Sequence, residues 1–117
     1  MKRFEFDLYD ELERVSFFLN TYSNDTTYVG AISFDEEENE DFYGDISVNL
    51  PHGTITNERE IYADVNNSQV IINAMLKAGL LEETNESCQS GFVIYPKVKL
   101  TDKFYEYVVE VLDEDKE

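Results

Sequence analysis

Polar and apolar residues alternate from the start of the chain. Phe4, Phe6 and Leu8 fall on one side of an extended backbone, and Arg3, Glu5 and Asp7 on the other. That period of two predicts a strand with one buried face. Residues 15–22 (VSFFLNTY) are rich in β-branched and aromatic side chains and predict a second strand, and 28–34 (YVGAISF) a third. Between these two lies SNDTT, where Asn24 and Asp25 tolerate the left-handed conformations of a tight hairpin. Gly30, inside the third strand, signals a bulge or a close backbone approach. Residues 42–50 (FYGDISVNL) alternate again, with Ile46, Val48 and Leu50 on one face and Asp45, Ser47 and Asn49 on the other. Pro51-His52-Gly53 ends that run. With such short connections, consecutive strands form an antiparallel meander.

After a short strand at about 60–65 the period changes. Asn66-x-x-Gln69 has the form of a capping box, and Val70, Ile71, Ala74, Met75 and Ala78 share one helical stripe. Gly79 is a good left-handed stop, so a helix is expected over about 67–78. The polar stretch 82–90 separates it from a strand at 91–100 (GFVIYPKVKL), where Pro96 argues for an edge position or a bulge. The last segment, TDKFYEYVVEVLDEDKE, reads two ways. As a helix over about 102–113 it gathers Phe104, Val108, Val111 and Leu112 on one face, and Asp102, Glu106, Glu110 and Asp113 on the other. As a strand it puts Tyr105, Tyr107, Val109 and Val111 on one face, which β-propensity favours. The helix is the preferred reading because Thr101-Asp102 makes a natural start. The expected fold is a single α+β domain over residues 1–117. An antiparallel sheet of about five or six strands packs on the 67–78 helix, with a C-terminal helix and a short flexible acidic tail from about 113.

At 117 residues, 42% of them hydrophobic, the chain can bury one core, with eight Phe and eight Tyr as its large side chains. No apolar run approaches the roughly 20 residues that cross a bilayer, and MKRFEFDLYD lacks the apolar stretch of a signal peptide. Cys88, the single cysteine, excludes an internal disulfide. Together these features point to the cytoplasm.

Charge changes the picture most. The net charge is −17, and no Lys or Arg occurs from Val15 to Glu58. Phosphate backbones and anionic membranes repel such a chain, so direct binding to either is not expected. A partner found by electrostatic steering is a basic protein surface, such as a nucleic-acid-binding enzyme carries. Candidate partner-binding residues are Asp35, Glu36, Glu37, Glu38, Glu40 and Asp41 of the loop FDEEENED, with Asp102, Glu106, Glu110 and Asp113 of the last segment. On a helix, carboxylates four apart rise about 6 Å per step, comparable to phosphates along one DNA strand.

Three stretches carry a resemblance: GDISVNLP at 44–51, ADVNN before the helix that ends in AGLL, and QSGFVIYP at 89–96. Together they resemble a family of small proteins of unknown function from Gram-positive bacteria, plasmids, phages and conjugative elements, over roughly residues 27–100. The resemblance implies a mobile-element setting and supplies no catalytic residues.

Bond chemistry has little to work with. His52 is the only histidine, and a nucleophilic arrangement has to pair it with Cys88 or Ser90 without a nucleophile elbow. Acidic neighbours such as Glu86 raise a thiol pKa and leave it inert. One His and one Cys do not assemble a zinc site, and DEEENEDFYGDI lacks the EF-hand order. No catalytic residue, cofactor or metal is expected. Asp45 reads either as a structural acceptor or as part of a polar binding face with Ser47 and Asn49. The leading expectation is a non-catalytic acidic binding protein, a mobile-element factor that mimics nucleic-acid charge to inhibit a host restriction or CRISPR nuclease. The alternative is a protein-interaction module using aromatics such as Tyr43, Tyr62 or Tyr95, its acids serving only solubility.

Overall fold

The computed structural model describes residues 3–8 and 10–111, with side chains as far as residue 108. Strands β1 (Phe4–Leu8), β2 (Glu11–Thr21), β3 (Thr27–Phe34) and β4 (Glu40–Asp45) form the expected antiparallel meander. Strand β2 outruns β1, which pairs only with its residues Glu11–Val15. The rest of that edge, at Phe17–Leu19, takes β9 (Val108–Val111) in parallel, completing a five-stranded sheet. A second, antiparallel sheet has four strands: β5 (Ser47–Val48), β6 (Glu60–Ala63), β8 (Val93–Leu100) and β7 (Leu81–Ser90), in that spatial order. Helix α1 (Gln69–Ala78) links β6 to β7.

The sheets meet at Ile46, which is wholly buried between β4 and β5. Its amide donates to the Val29 carbonyl (2.9 Å) and its carbonyl accepts from the Asp64 amide (2.8 Å), so one residue satisfies partners in both layers. The core lies inside this corner. Phe4, Phe6, Val15, Phe17 and Val29 of the first sheet face Ile61, Val98 and Leu100 of the second, with Ile71, Ile72 and Met75 of α1. A short 3-10 helix, Lys103–Tyr107, drives Phe104 against Phe17, ring centroids 5.1 Å apart. Burying such a ring contributes about 2–3 kcal/mol.

The α+β class stands, with the expected single antiparallel sheet divided into two, one of them carrying a parallel strand, and with several local differences. The 42–50 run is not one strand: it breaks at Ile46, where the chain leaves β3 for the second sheet, the Ile46 amide bonded to Val29 and its carbonyl to Asp64. Ser47, expected on the polar face, is buried and accepts from the Val29 amide (2.9 Å). The Asn66…Gln69 capping box does not form. Helix α1 starts at Gln69, and the Ser68 hydroxyl donates instead across to the Asp45 carbonyl (2.6 Å). Ile72, which lies off the expected stripe, is buried, and Val70, which was expected to pack, is exposed.

The polar stretch 82–90 is strand β7, held by its pairing with β8, where Glu82 faces Lys99 and Glu86 faces Lys97. A bulge between Glu83 and Glu86 carries Asn85 at φ 70°. Pro96 sits on the part of β8 beyond its pairing with β6, where a missing amide costs no bond on that side. Finally, the C-terminal helix over 102–113 does not form: it is the 3-10 helix followed by β9, and residues 112 and 113 lie outside the described ones. The unpaired half of β2 offers backbone bonds that β-branched Val108, Val109 and Val111 accept more readily than a helix. The acidic tail from about 113 is likewise outside the described residues.

Candidate binding surface

The acidic stretch 35–41 forms the hairpin loop between β3 and β4 and, at Glu40 and Asp41, the first two residues of β4, and its acids divide into two groups. Asp35 organises the turn. Its Oδ1 accepts from the amides of Glu37 (2.9 Å) and Asn39 (2.8 Å), and its own amide donates to the Asn39 carbonyl (3.1 Å). The Asn39 amide above all holds the Asp35 carboxyl below the usual carboxylate range. Glu38 takes a left-handed backbone at φ 67° and pairs with Arg3 and with Arg14 (3.1 Å), reaching back to β1 and β2. Hydrogen bonds from Arg3 and then Arg14 lower its pKa as well. Glu36, Glu37, Glu40 and Asp41 are exposed, and among the described residues no Lys or Arg pairs with them. Beside the loop lies an open hollow of about 430 Å³, lined by Leu12, Arg14, Phe34, Glu36, Glu40 and Asp41 among others.

The C-terminal acids stand apart from this loop. Asp102 pairs with Arg59 (2.8 Å), next to Glu58, whose carbonyl accepts from Thr27 at the opposite end of β3. The eight residues of β3 span roughly 24 Å, so the structure does not bring Asp102 to the hairpin. Glu106 is exposed on the 3-10 helix, Glu110 pairs with Phe18 through β9, and Asp113 lies outside the described residues. The evenly rising row that a helix offers is therefore not formed over 102–110.

The exposed aromatic surface is also not the expected one. Tyr62 is buried and Tyr43 packs edge-on against Phe6 at 5.9 Å, while Tyr95 is half-buried. On the outer face of the five-stranded sheet, Phe42, Phe18, Tyr28 and Tyr22 make a connected row, with successive ring centroids 6.4, 5.7 and 5.6 Å apart. Phe42 is 58% exposed. The Tyr28 hydroxyl donates to Asp45 Oδ1 (2.5 Å), which gives Asp45 a structural role while leaving it exposed. Burial, with the Asp45 bond and charge, pushes the Tyr28 phenol well above its usual range. Strict period-two parity would put Phe42 with Ile46; the register shift of β4 between its pairings with Ala31 and Ile32 turns Phe42 to the side of Phe18 and Tyr28 instead, and that shift has no sequence signal.

His52 Nε2 donates to the Gln89 carbonyl (3.1 Å), and the Cys88 thiol approaches the same oxygen (3.9 Å). Both point at one acceptor, so neither is aligned to activate the other. Among the described residues, no three His, Cys, Asp or Glu side chains are arranged to hold a metal ion. No helix among them is long and apolar enough to cross a membrane.

Fold and surface together define an α+β domain of two sheets and one helix whose charged hairpin and aromatic sheet face are its most distinctive features. The chain belongs to the DUF4313 family, a domain of unknown function, which matches residues 16–116. No curated protein and no solved structure matches it.

Proposed function

We propose that this is a non-catalytic binding protein that docks the acidic β3–β4 hairpin onto a basic protein surface, of the kind that holds nucleic-acid phosphates. The observation that carries this reading is the division within the loop. Asp35 and Glu38 are used to set its shape, and Glu36, Glu37, Glu40 and Asp41 are held outward with no cation of this chain described against them. Self-repulsion maintained on a shaped loop is relieved by a cationic partner. The charge mimicry is then a compact cluster at one end of the molecule instead of a long row of carboxylates. A mobile-element setting, implied by the resemblance, makes a host restriction or CRISPR nuclease the first partner to try.

The exposed Phe42 favours a second reading, an interaction module whose apolar face carries the affinity. Capture of host nucleases at low and high salt separates the two. The combined variant Glu36→Gln, Glu37→Gln, Glu40→Gln, Asp41→Asn is expected to lose salt-sensitive capture. Unchanged capture by this variant, surviving high salt, would put the affinity on the apolar face.

A further inference from the structure

All three arginines of the chain are engaged, and two of them in the same way. The Arg3 guanidinium lies 3.7 Å from the centroid of Phe34 while pairing with Glu38. The Arg59 guanidinium lies 4.8 Å over Tyr105 while pairing with Asp102. Each is a planar cation stacked on a ring with a carboxylate at its edge, the arrangement that suits a weakly hydrated guanidinium better than an ammonium. The outer face of the five-stranded sheet offers the same two components a third time. Phe42 is exposed beside Phe18, and two carboxylates flank it on the same face: Glu40, two residues back along β4, and Asp45, bonded to Tyr28. No arginine of this chain is left to fill it.

We propose that this face, centred on Phe42 and Phe18 between Glu40 and Asp45, seats an arginine-bearing segment of a basic partner protein. Charge complementarity selects that occupant. A second copy of this chain brings −17 of like charge, and a nucleic acid brings phosphates to the same acids. The surface is built to stay open: Gly30 lies under the Phe18 ring, which keeps the ring low on the sheet, and β4 is the edge strand, so nothing in the five-stranded sheet lies beyond Phe42. The inference rests on the reading of a basic partner and adds the side chain that partner presents.

The test compares an oligoarginine and an oligolysine peptide of equal length, each titrated into the intact protein at low and high salt, with amide chemical shifts followed by NMR. The expected result is an arginine preference of about three- to fivefold, with shifts at Gly30, Phe42 and Asp45. Phe42→Leu keeps an apolar side chain at this exposed site without a π-face. It is expected to erase the preference while leaving the melting temperature nearly unchanged. The loop variant that neutralises Glu36, Glu37, Glu40 and Asp41 is expected to weaken both peptides. Equal binding of the two peptides, with shifts confined to residues 35–41, would overturn this proposal and leave the hairpin reading standing. Binding of neither would overturn both. A dimer of the free protein that shields Phe42 would place a second copy there and overturn it as well.

Discussion

The Phe18 ring lies so close over Gly30 that a Cβ at position 30 would sit 2.5 Å from Phe18 Cζ and 2.6 Å from the Tyr28 hydroxyl. The two residues are direct cross-strand partners on β2 and β3. The ring cannot simply swing aside, because Phe42 and Tyr28 pack against it. Gly30→Ala is therefore expected to cost about 1–3 kcal/mol, as overpacking does. Urea unfolding checks this: a loss under about 0.5 kcal/mol would mean that the aromatic row rearranges freely.

Lys97 is 4% exposed, with Nζ 2.5 Å from Glu86 Oε1 and 3.7 Å from Glu60 Oε1. Lys97→Ala leaves the nearly buried Glu60 without its cation, and the expected cost is about 2–4 kcal/mol. Glu86 is 65% exposed, so Glu86→Gln should cost less than about 1 kcal/mol. Equal losses in the two variants, measured by denaturant melts, would contradict this ranking.

The same site sets an alkaline limit. The Glu86 hydrogen bond, chiefly, raises the Lys97 pKa above its usual value. A raised folded-state pKa gives stability that is complete below the unfolded value near 10.4 and is lost as pH rises through the folded one. In wild type the stability should fall above about pH 10 more steeply than in Lys97→Met, followed by thermal melts across that range.

The hairpin has the opposite dependence. Asp35 and Glu38 both have lowered pKa values, so their contribution is complete above the ordinary carboxylate range near pH 4 and is lost as pH falls through the depressed values. The Glu37 and Asn39 amides, bonded to Asp35, should shift together in an NMR titration, with a midpoint below about pH 4. Independent midpoints for these two amides would show that Asp35 does not organise the loop.

Neutralising the outward acids should act in reverse on stability and on binding. Glu36→Gln with Glu37→Gln removes like charges that make no ion pair within the described structure, so the melting temperature should rise by about 1–2 °C while capture of a basic partner weakens. A fall in melting temperature would assign these side chains a structural role.

Local pattern carried much of this fold. The alternation of Phe4, Phe6 and Leu8, the turn at Asn24-Asp25, the close approach at Gly30 and the Gly79 stop all depend on the residue and its immediate neighbours, and each is found where its chemistry requires. Strand β7 was hidden because LEETNESCQS has little β-propensity. Its signal was pairwise, Glu82 and Glu86 against Lys99 and Lys97 across the ladder, and became visible only with the register known. Residues 108–111 were equally ambiguous. Their choice between helix and strand was made by a vacant stretch of β2 about ninety positions away, which local propensity cannot weigh.

The candidate surface divides along the same line. By itself the sequence determined an acidic α+β domain with the acids of FDEEENED at a hairpin between two strands, though its ends, Phe34 and Glu40–Asp41, belong to the strands themselves, because charge, hydrophobic period and turn chemistry are local properties. Only the tertiary structure decided that Asp35 and Glu38 are used up in shaping that loop, and that Asp102 lies at the far end of β3. It alone left Phe42 uncovered, too, since which face of a sheet meets the core depends on what packs against it.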